Sequence, residues 1–166
     1  MLDTLGAVRN ELIRSVDRLA PQQSFHVILF SQGTPQELRF RRLLPPTDDN
    51  KEELTSFLRD ACPMGRTDVI PALVRAFETF DQNSQPSAGC ICLLTDGYFP
   101  DNQKVRETVR RYNATRKIAI STFLCISTIP PFEPREKQLA EAEAFLKTLA
   151  QENGGKYLQI KLPWER

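Results

Sequence analysis

The sequence predicts an α/β protein with an open, mostly parallel β-sheet and helices on both of its faces. Along the chain, apolar runs of strand length are separated by longer segments in which apolar residues recur at helical spacing. Two of these runs, residues 24–31 and 90–95, have apolar residues on both faces, which is typical of strands buried inside a parallel sheet. Such an alternation of strands and helices is the pattern of α/β folds.

In the first half of the chain, three helices and two strands are predicted. The helices are residues 2–19, 47–61 and 69–80, and the strands are residues 24–31 and 38–44. The first helix ends before Pro21, because proline cannot continue it, and the third follows Asp68, a suitable N-cap residue. Residues 38–44 alternate apolar and basic side chains, so we expect an edge strand with one face in water.

The second half is predicted to hold three strands and two helices. The strands are residues 90–95, 117–126 and 156–162, and the helices are residues 103–113 and 135–152. Asp101 is the expected cap of the first of these helices. The sequence Asn153-Gly154-Gly155 is a strong C-cap signal at the end of the second.

Length and composition indicate one globular domain over residues 1–166. The chain has 40% hydrophobic and 26% charged residues, which is ordinary for a folded protein with a sizeable core. Its net charge is only +1, so it lacks the basic excess of a nucleic-acid-binding domain. We interpret the arginine pairs Arg41-Arg42 and Arg110-Arg111 as solvated surface.

The cysteines favour a reduced compartment. Cys90, Cys92 and Cys125 fall within apolar strand runs, so we expect buried free thiols that act as small apolar side chains. A metal site built on Cys90 and Cys92 is not favoured, because the single histidine, His26, lies in another predicted strand. Reduced thiols suit the cytoplasm, and no apolar run approaches the roughly 20 residues that span a bilayer.

Known catalytic motifs are missing from the sequence. It contains no glycine-rich phosphate-binding loop and no Gly-x-Ser-x-Gly elbow, and His26 is expected in the core rather than as a general base. Asp96 follows an apolar strand directly. Asp96-Gly97 suits a simple turn, but the carboxyl ends of parallel strands are also where open α/β sheets bind ligands.

Two loops taken together identify a family that the chain resembles. Gly65-Arg66-Thr67-Asp68 precedes a helix and Thr95-Asp96-Gly97 follows a strand, and in this order they are similar to two of the three segments of a metal-ion-dependent adhesion site. That site is typical of the von Willebrand factor type A (vWA) domain, and the order of elements resembles the bacterial type of this family over the whole chain. The resemblance implies a Rossmann-like three-layer sandwich.

The resemblance also implies a function. It assigns Thr67 and Asp96 as oxygen ligands of Mg²⁺, whose coordination shell is completed by an acidic side chain of a partner protein. The chain would then be a protein-interaction module and not an enzyme. No nucleic-acid partner and no membrane segment are expected.

The third segment of the metal site, Asp-x-Ser-x-Ser, has no match in the chain. In the family it ends a central first strand, and here Met1 starts at the helix that follows, so we expect that strand to be missing from the chain. The remaining metal site is then partial, with weak Mg²⁺ binding or none. We also expect unpaired strands to favour self-association. An upstream extension could hold a signal or a membrane anchor, so the compartment stays open.

Two alternatives remain at the level of the sequence. The chain could be a small α/β hydrolytic or phosphotransfer enzyme that uses Asp96, in which case a second carboxylate or a histidine should lie beside Asp96. It could also be a structural domain without a working site.

Overall fold

A computed structural model of the chain describes residues 2–61, 67–82, 89–127 and 136–162. Its elements, in chain order, are α1 (Leu2–Asp17), β1 (Ile28–Leu29), β2 (Gln36–Glu37), α2 (Asp48–Asp60), α3 (Ile70–Asp81), β3 (Cys90–Thr95), α4 (Asn102–Asn113), β4 (Ala119–Ser127), α5 (Glu136–Glu152) and β5 (Tyr157–Leu162). Each predicted helix is present within two residues of its expected bounds. The α/β class is confirmed.

The chain divides into two compact units. The amino-terminal unit is Leu5–Pro86, and the carboxy-terminal unit is Ser87–Arg166 together with Met1–Thr4. The single domain expected over residues 1–166 stays a prediction. Among the described residues, no helix combines the length and the apolar character needed to cross a membrane.

A parallel sheet forms the centre of the carboxy-terminal unit, with the strand order β3-β4-β5. Ile120, Thr122 and Leu124 on β4 are fully buried, and they alternate with less buried residues, as the two-residue period of a strand requires. Helix α5 packs on β4, where the Thr122 hydroxyl donates a hydrogen bond of 2.9 Å to the Leu146 carbonyl. The three strands predicted in the second half of the chain therefore form a parallel sheet. The predicted strand over residues 24–31 does not join it: only Ile28–Leu29 is a strand there, and it pairs with β2 in a separate two-stranded sheet.

Side chains of helix α4 reach the carboxy-terminal end of α5 in the same unit. It begins at the predicted cap, where Asp101 Oδ1 accepts the Lys104 amide at 2.9 Å. Arg106 and Arg110 both bind Glu152 of α5, and the Arg106 hydrogen bonds are the main reason that the pKa of Glu152 falls to about 2. These side chains join the two helices at an exposed surface.

The end of α5 is closed by the predicted glycines. The Gly155 amide donates to the Ala150 carbonyl at 3.0 Å, and Gly154 has a φ of 66°, which together make a Schellman-type cap. Gly155 also lies against β4: a Cβ atom there would be 2.0 Å from the Ile120 carbonyl oxygen. The absence of a side chain at Gly155 is therefore what lets the chain return this close to the sheet.

The core of the amino-terminal unit collects apolar side chains from α1, α2 and the segment between them. Its buried members are Val16, Phe25, Val27, Leu38, Leu44, Leu54 and Leu58. Thr47 caps α2 by accepting the Asn50 amide at 3.4 Å, and Pro71 lies in the first turn of α3. A hydroxyl cap and a proline in the first turn are both common at the start of a helix.

Strand pairing in the amino-terminal unit differs from the prediction. β1 and β2 are two residues each and antiparallel, and an isolated bridge joins Phe25 to Leu44. The predicted edge strand over residues 38–44 is wrong, because the chain turns there: the Arg41 amide donates to the Leu38 carbonyl at 3.0 Å. Leu38 is fully buried in the core, and this anchor bends the segment away from an extended path.

The cysteine prediction is wrong for two of the three residues. Cys90 and Cys92 are exposed, and Cys125 is half-buried. Both exposed thiols lie on the face of β3 opposite to the buried Leu93 and Thr95, so β3 is not buried on both faces. Although Cys92 is exposed, desolvation by neighbouring atoms raises its pKa to about 11, and the adjacent Cys90 adds to the rise.

Because Gly155 lies so close to β4, one added methyl group at this position is predicted to lower the stability of the protein strongly. We expect Gly155→Ala to lower the free energy of unfolding by about 3 kcal/mol, because the new Cβ would overlap backbone atoms of Ile120. The matched control is Gly154→Ala, which has open space around its Cβ and should lose only about 1 kcal/mol from its positive φ. Urea unfolding of both variants makes the comparison. Equal losses would contradict the close packing at Gly155.

Candidate functional site

Asp96 directly follows β3, at the carboxyl end of the parallel sheet. Its side chain is exposed, and its Oδ1 atom accepts the Tyr98 amide at 3.1 Å. The preceding Thr95 hydroxyl accepts the Gly97 amide at 3.0 Å. The segment is thus a turn held by two side chains, and it presents a carboxylate at the edge where open α/β sheets bind ligands. The turn interpretation of Asp96 is confirmed, and its role as a ligand stays a prediction.

Gly97 fixes this turn against α5. It has a φ of 79°, and a Cβ at this position would lie 2.6 Å from the Cβ of Ala142. Only glycine satisfies both the left-handed backbone and the short approach. The position of the Asp96 carboxylate is therefore set by the packing of α5 on the sheet.

The charge of Asp96 acts on two titratable neighbours. Desolvation is the main cause that raises the pKa of Tyr98, and the negative charge of Asp96 adds to it. The pKa of the Cys125 thiol is raised in the same way, mainly by burial and further by Asp96. Asp96 therefore lies near a phenol and a thiol, which both stay protonated at neutral pH.

Thr67 lies in the loop before α3 and is half-buried. Next to it, the Asp68 amide donates to the Ser31 carbonyl at 3.3 Å, which ties this loop to the segment after β1. Asp68 is not the N-cap residue that the sequence predicts: the N-cap is Val69, and Asp68 Oδ1 instead accepts the Ile70 amide at 3.2 Å. Gly65 and Arg66 lie outside the described residues.

The two predicted metal ligands are in different units. Thr67 is in the amino-terminal unit and Asp96 in the carboxy-terminal unit, so each is placed only within its own unit. Within the described ranges, no group of three or more His, Cys, Asp or Glu side chains is arranged to hold a metal ion. A Mg²⁺ site that uses Thr67 and Asp96 stays a prediction.

A buried cluster of charged side chains was missed by the sequence analysis. His26 is in the core, as expected, with only 3% of its side chain exposed, and its Nε2 atom is 3.0 Å from Glu37 Oε2. Arg75 Nε lies 2.9 Å from both oxygens of Glu37, and Arg75 Nη2 donates to the Arg41 carbonyl at 2.6 Å. One buried carboxylate therefore joins β2, α3 and the turn that follows β2.

The sequence does contain a signal for this cluster. Arg75 is three residues after Ala72 and four before Thr79, so it shares their face of α3, and both of those residues are buried. An arginine on a buried helical face needs an acidic partner. The pairing with Glu37, 38 residues away, is visible only in three dimensions.

The titration of the cluster follows from its burial. Burial is the main cause that lowers the pKa of His26, against the opposing hydrogen bond to Glu37. Burial alone would raise the pKa of Glu37, but the hydrogen bonds from Arg75 and His26 outweigh it and hold this pKa below 4.5. Among the described residues, two further charged groups lie at the cluster: Arg41, with its Nε atom 3.2 Å from Glu37, and Glu78, 3.7 Å from Arg75.

These shifts predict that acid destabilises the amino-terminal unit. Unfolded His26 takes up a proton near pH 6.5 but folded His26 only at lower pH, so the free energy of unfolding should decrease as pH falls below 6.5. A second decrease should follow below 4.5, where Glu37 is protonated in the unfolded chain. Urea unfolding monitored by circular dichroism between about pH 7 and about pH 4 measures both.

The control for this prediction is His26→Gln, which removes the only histidine of the chain. This variant should lose the first decrease and keep the second. An unchanged slope between about pH 7 and about pH 5.5 in His26→Gln would contradict the assignment.

Comparisons with known proteins agree with the described fold. No family model matches the chain. Over 155 residues the chain is 28% identical to the human protein inter-alpha-trypsin inhibitor heavy chain H4, an alignment that covers 89% of this chain and 15% of that protein. The chain therefore spans a small part of the curated relative that it matches.

Solved structures of vWA domains resemble the chain. A von Willebrand factor type A protein from Catenulispora acidiphila has a TM-score of 0.71 at 15% identity, with 94% of this chain and 34% of that chain covered. The SpRpn10 VWA domain has a TM-score of 0.62 at 13% identity, with 98% and 76% covered. Likeness at such low identity establishes the fold. The resemblance that the two loops predict is confirmed at this level, and the chain has the fold of a von Willebrand factor type A domain.

Proposed function

We propose that this chain is a protein-interaction module and that Asp96 is its main contact group. The observation that carries the proposal is the position of Asp96: an exposed carboxylate, held in a fixed turn at the carboxyl end of a parallel strand, in a chain with the vWA fold. The fold supports an interaction role at the level of the family. The partner is a proposal drawn from the resemblance, namely a protein that contributes an acidic side chain.

A metal ion would link Asp96 to that acidic side chain. Two carboxylates repel each other, so a bridging cation is needed between them, and Mg²⁺ prefers oxygen ligands. The Asp96 carboxylate and the Thr67 hydroxyl are suitable in type but few in number. One oxygen of Asp96 also accepts the Tyr98 amide, which leaves less of its charge for an ion. We therefore propose weak Mg²⁺ binding by this chain alone.

Acid–base catalysis at Asp96 has less support. Hydrolysis or phosphotransfer would need a second carboxylate or a histidine beside Asp96. The groups on which the charge of Asp96 acts are Tyr98 and Cys125, both with raised pKa values. A protonated phenol and thiol can donate hydrogen bonds to a ligand, which favours binding.

The metal proposal predicts a weak affinity. Isothermal titration of Mg²⁺ into the chain should give a dissociation constant of about 1 mM or weaker, because one carboxylate and one hydroxyl offer little charge to a strongly hydrated ion. Asp96→Ala should remove what binding there is. The control Asp49→Ala, an exposed aspartate in α2, should leave it unchanged. Micromolar affinity that depends on Asp96 would show that the site is more complete than proposed.

The interaction proposal predicts a metal-dependent partner. Chemical cross-linking in a cell extract should recover a protein with the wild-type chain in Mg²⁺, and much less of it in excess EDTA or with Asp96→Ala or Thr67→Ala. Asp49→Ala should recover as much as the wild type. If Asp96→Ala recovers the partner as well as the wild type does, Asp96 is not part of the contact. If the chain turns over a substrate and Asp96→Ala loses that activity, the role of Asp96 is catalysis and not binding.

A further inference from the structure

The turn after β2 presents an aromatic ring among arginines. We name residues 38–42 the Phe40 turn. Phe40 is 51% exposed, and its neighbours Arg39, Arg41 and Arg42 are exposed as well. About half of the Phe40 surface is in contact with water, and the flanking Arg39 and Arg42 side chains make its surroundings positive in a chain whose net charge is only +1.

The backbone of the Phe40 turn is strained and firmly held. Arg41 has a φ of 51°, a left-handed conformation that costs a residue with a Cβ about 1 kcal/mol. Three contacts hold it there: its amide donates to the Leu38 carbonyl, its carbonyl accepts from Arg75, and its own Nε lies 3.2 Å from Glu37. Strain of this kind persists only where the surroundings impose it, and it concentrates at functional sites.

The anchors of the turn lie beneath it, in the buried cluster of His26, Glu37 and Arg75. Glu37 has 8% of its side chain exposed, and its charge is met by Arg75 and Arg41. In the described part of the chain, Arg39 and Arg42 form no ion pair. The turn therefore carries two arginines whose guanidinium groups are available, on either side of Phe40, on a backbone that is fixed in advance.

We propose that the Phe40 turn is a docking surface for an acidic protein segment. Guanidinium groups bind carboxylates through two parallel hydrogen bonds, so acids on the partner would bind Arg39 and Arg42. An apolar side chain between those acids would cover the exposed ring of Phe40. Aromatic and arginine residues are enriched at the buried centres of protein interfaces. Because the backbone is already held, little conformational entropy is lost on binding.

A protein fits this surface better than a membrane does. Recognition of anionic lipid usually needs a cluster of roughly four to eight basic residues, and the turn has three. A fluid lipid surface also gains nothing from arginines in fixed positions, whereas a folded or extended acidic segment does. The low net charge of the chain argues against nucleic acid. This inference goes beyond the proposed function, because it requires neither Mg²⁺ nor Asp96.

Fluorescence anisotropy tests the proposal. The probe is a fluorescein-labelled peptide, Glu-Asp-Glu-Leu-Phe-Glu-Asp-Glu, compared with a counterpart in which lysine replaces every acid, and with vesicles of phosphatidylserine and phosphatidylcholine. The variants are Phe40→Ala and the double variant R39E/R42E. The matched controls are Leu158→Ala, an equally exposed apolar residue, and Arg18→Glu, an exposed arginine directly after α1. Thermal unfolding verifies that each variant is folded.

The expected result is that the wild type binds the acidic peptide and not the lysine peptide. Phe40→Ala should weaken this binding roughly tenfold, and R39E/R42E by roughly a hundredfold or more, while both controls and excess EDTA leave it unchanged. Equal binding of the two peptides, or equal losses in the control variants, would overturn the proposal. Tighter binding to the vesicles than to the peptide would show that the Phe40 turn binds a membrane and not a protein. A loss in EDTA would assign the binding to Asp96 instead.

Discussion

The close packing of α5 on β4 is the constraint on which the carboxy-terminal unit depends. Near the start of the helix, Ala142 lies where Gly97 has no side chain. In the middle, Leu146 accepts the Thr122 hydroxyl, and past the end Gly155 lies against the Ile120 carbonyl. A helix this close to a strand tolerates no added methyl group at either glycine. The turn that carries Asp96 is held in place by this packing, so the candidate site and the core of the unit depend on the same contacts.

A buried charge performs the corresponding role in the amino-terminal unit. The Glu37 carboxylate is buried, so its charge must be compensated inside the protein. Arg75 compensates the charge, and His26 is within hydrogen-bonding distance of the same carboxylate. Removal of Arg75 would leave the buried Glu37 charge with less compensation. The complete cluster joins β2 to α3 and, through Arg75, holds the carbonyl of Arg41 in its left-handed conformation. Stability at low pH and the shape of an exposed turn thus depend on the same three side chains. This links a core feature to a surface that we infer to bind a partner.

The two proposed contact surfaces differ in their chemistry. Asp96 is a carboxylate and needs a cation before it can hold an acidic partner. The Phe40 turn is cationic by itself and binds acids directly. Both would recognise acidic groups on other proteins, but only the first depends on a metal ion, so chelation separates them. Either surface is consistent with an interaction module, and each lies in its own unit of the chain.

Much of the secondary structure of this protein could be predicted from its sequence alone. The helix bounds, the cap at Asp101, the glycine stop after α5 and the three strands of the parallel sheet follow from local patterns, because spacing and capping act within a few residues. The resemblance of two short loops to the vWA family was also visible in the sequence. The tertiary structure alone decided the rest. In the folded chain Cys90 and Cys92, which the sequence predicts to be buried, are exposed. Residues 38–44 turn and do not form a strand, and Glu37 pairs with Arg75. These outcomes depend on contacts between residues far apart in the chain, and no local pattern specifies which distant atoms will lie above a strand face or beside a buried charge.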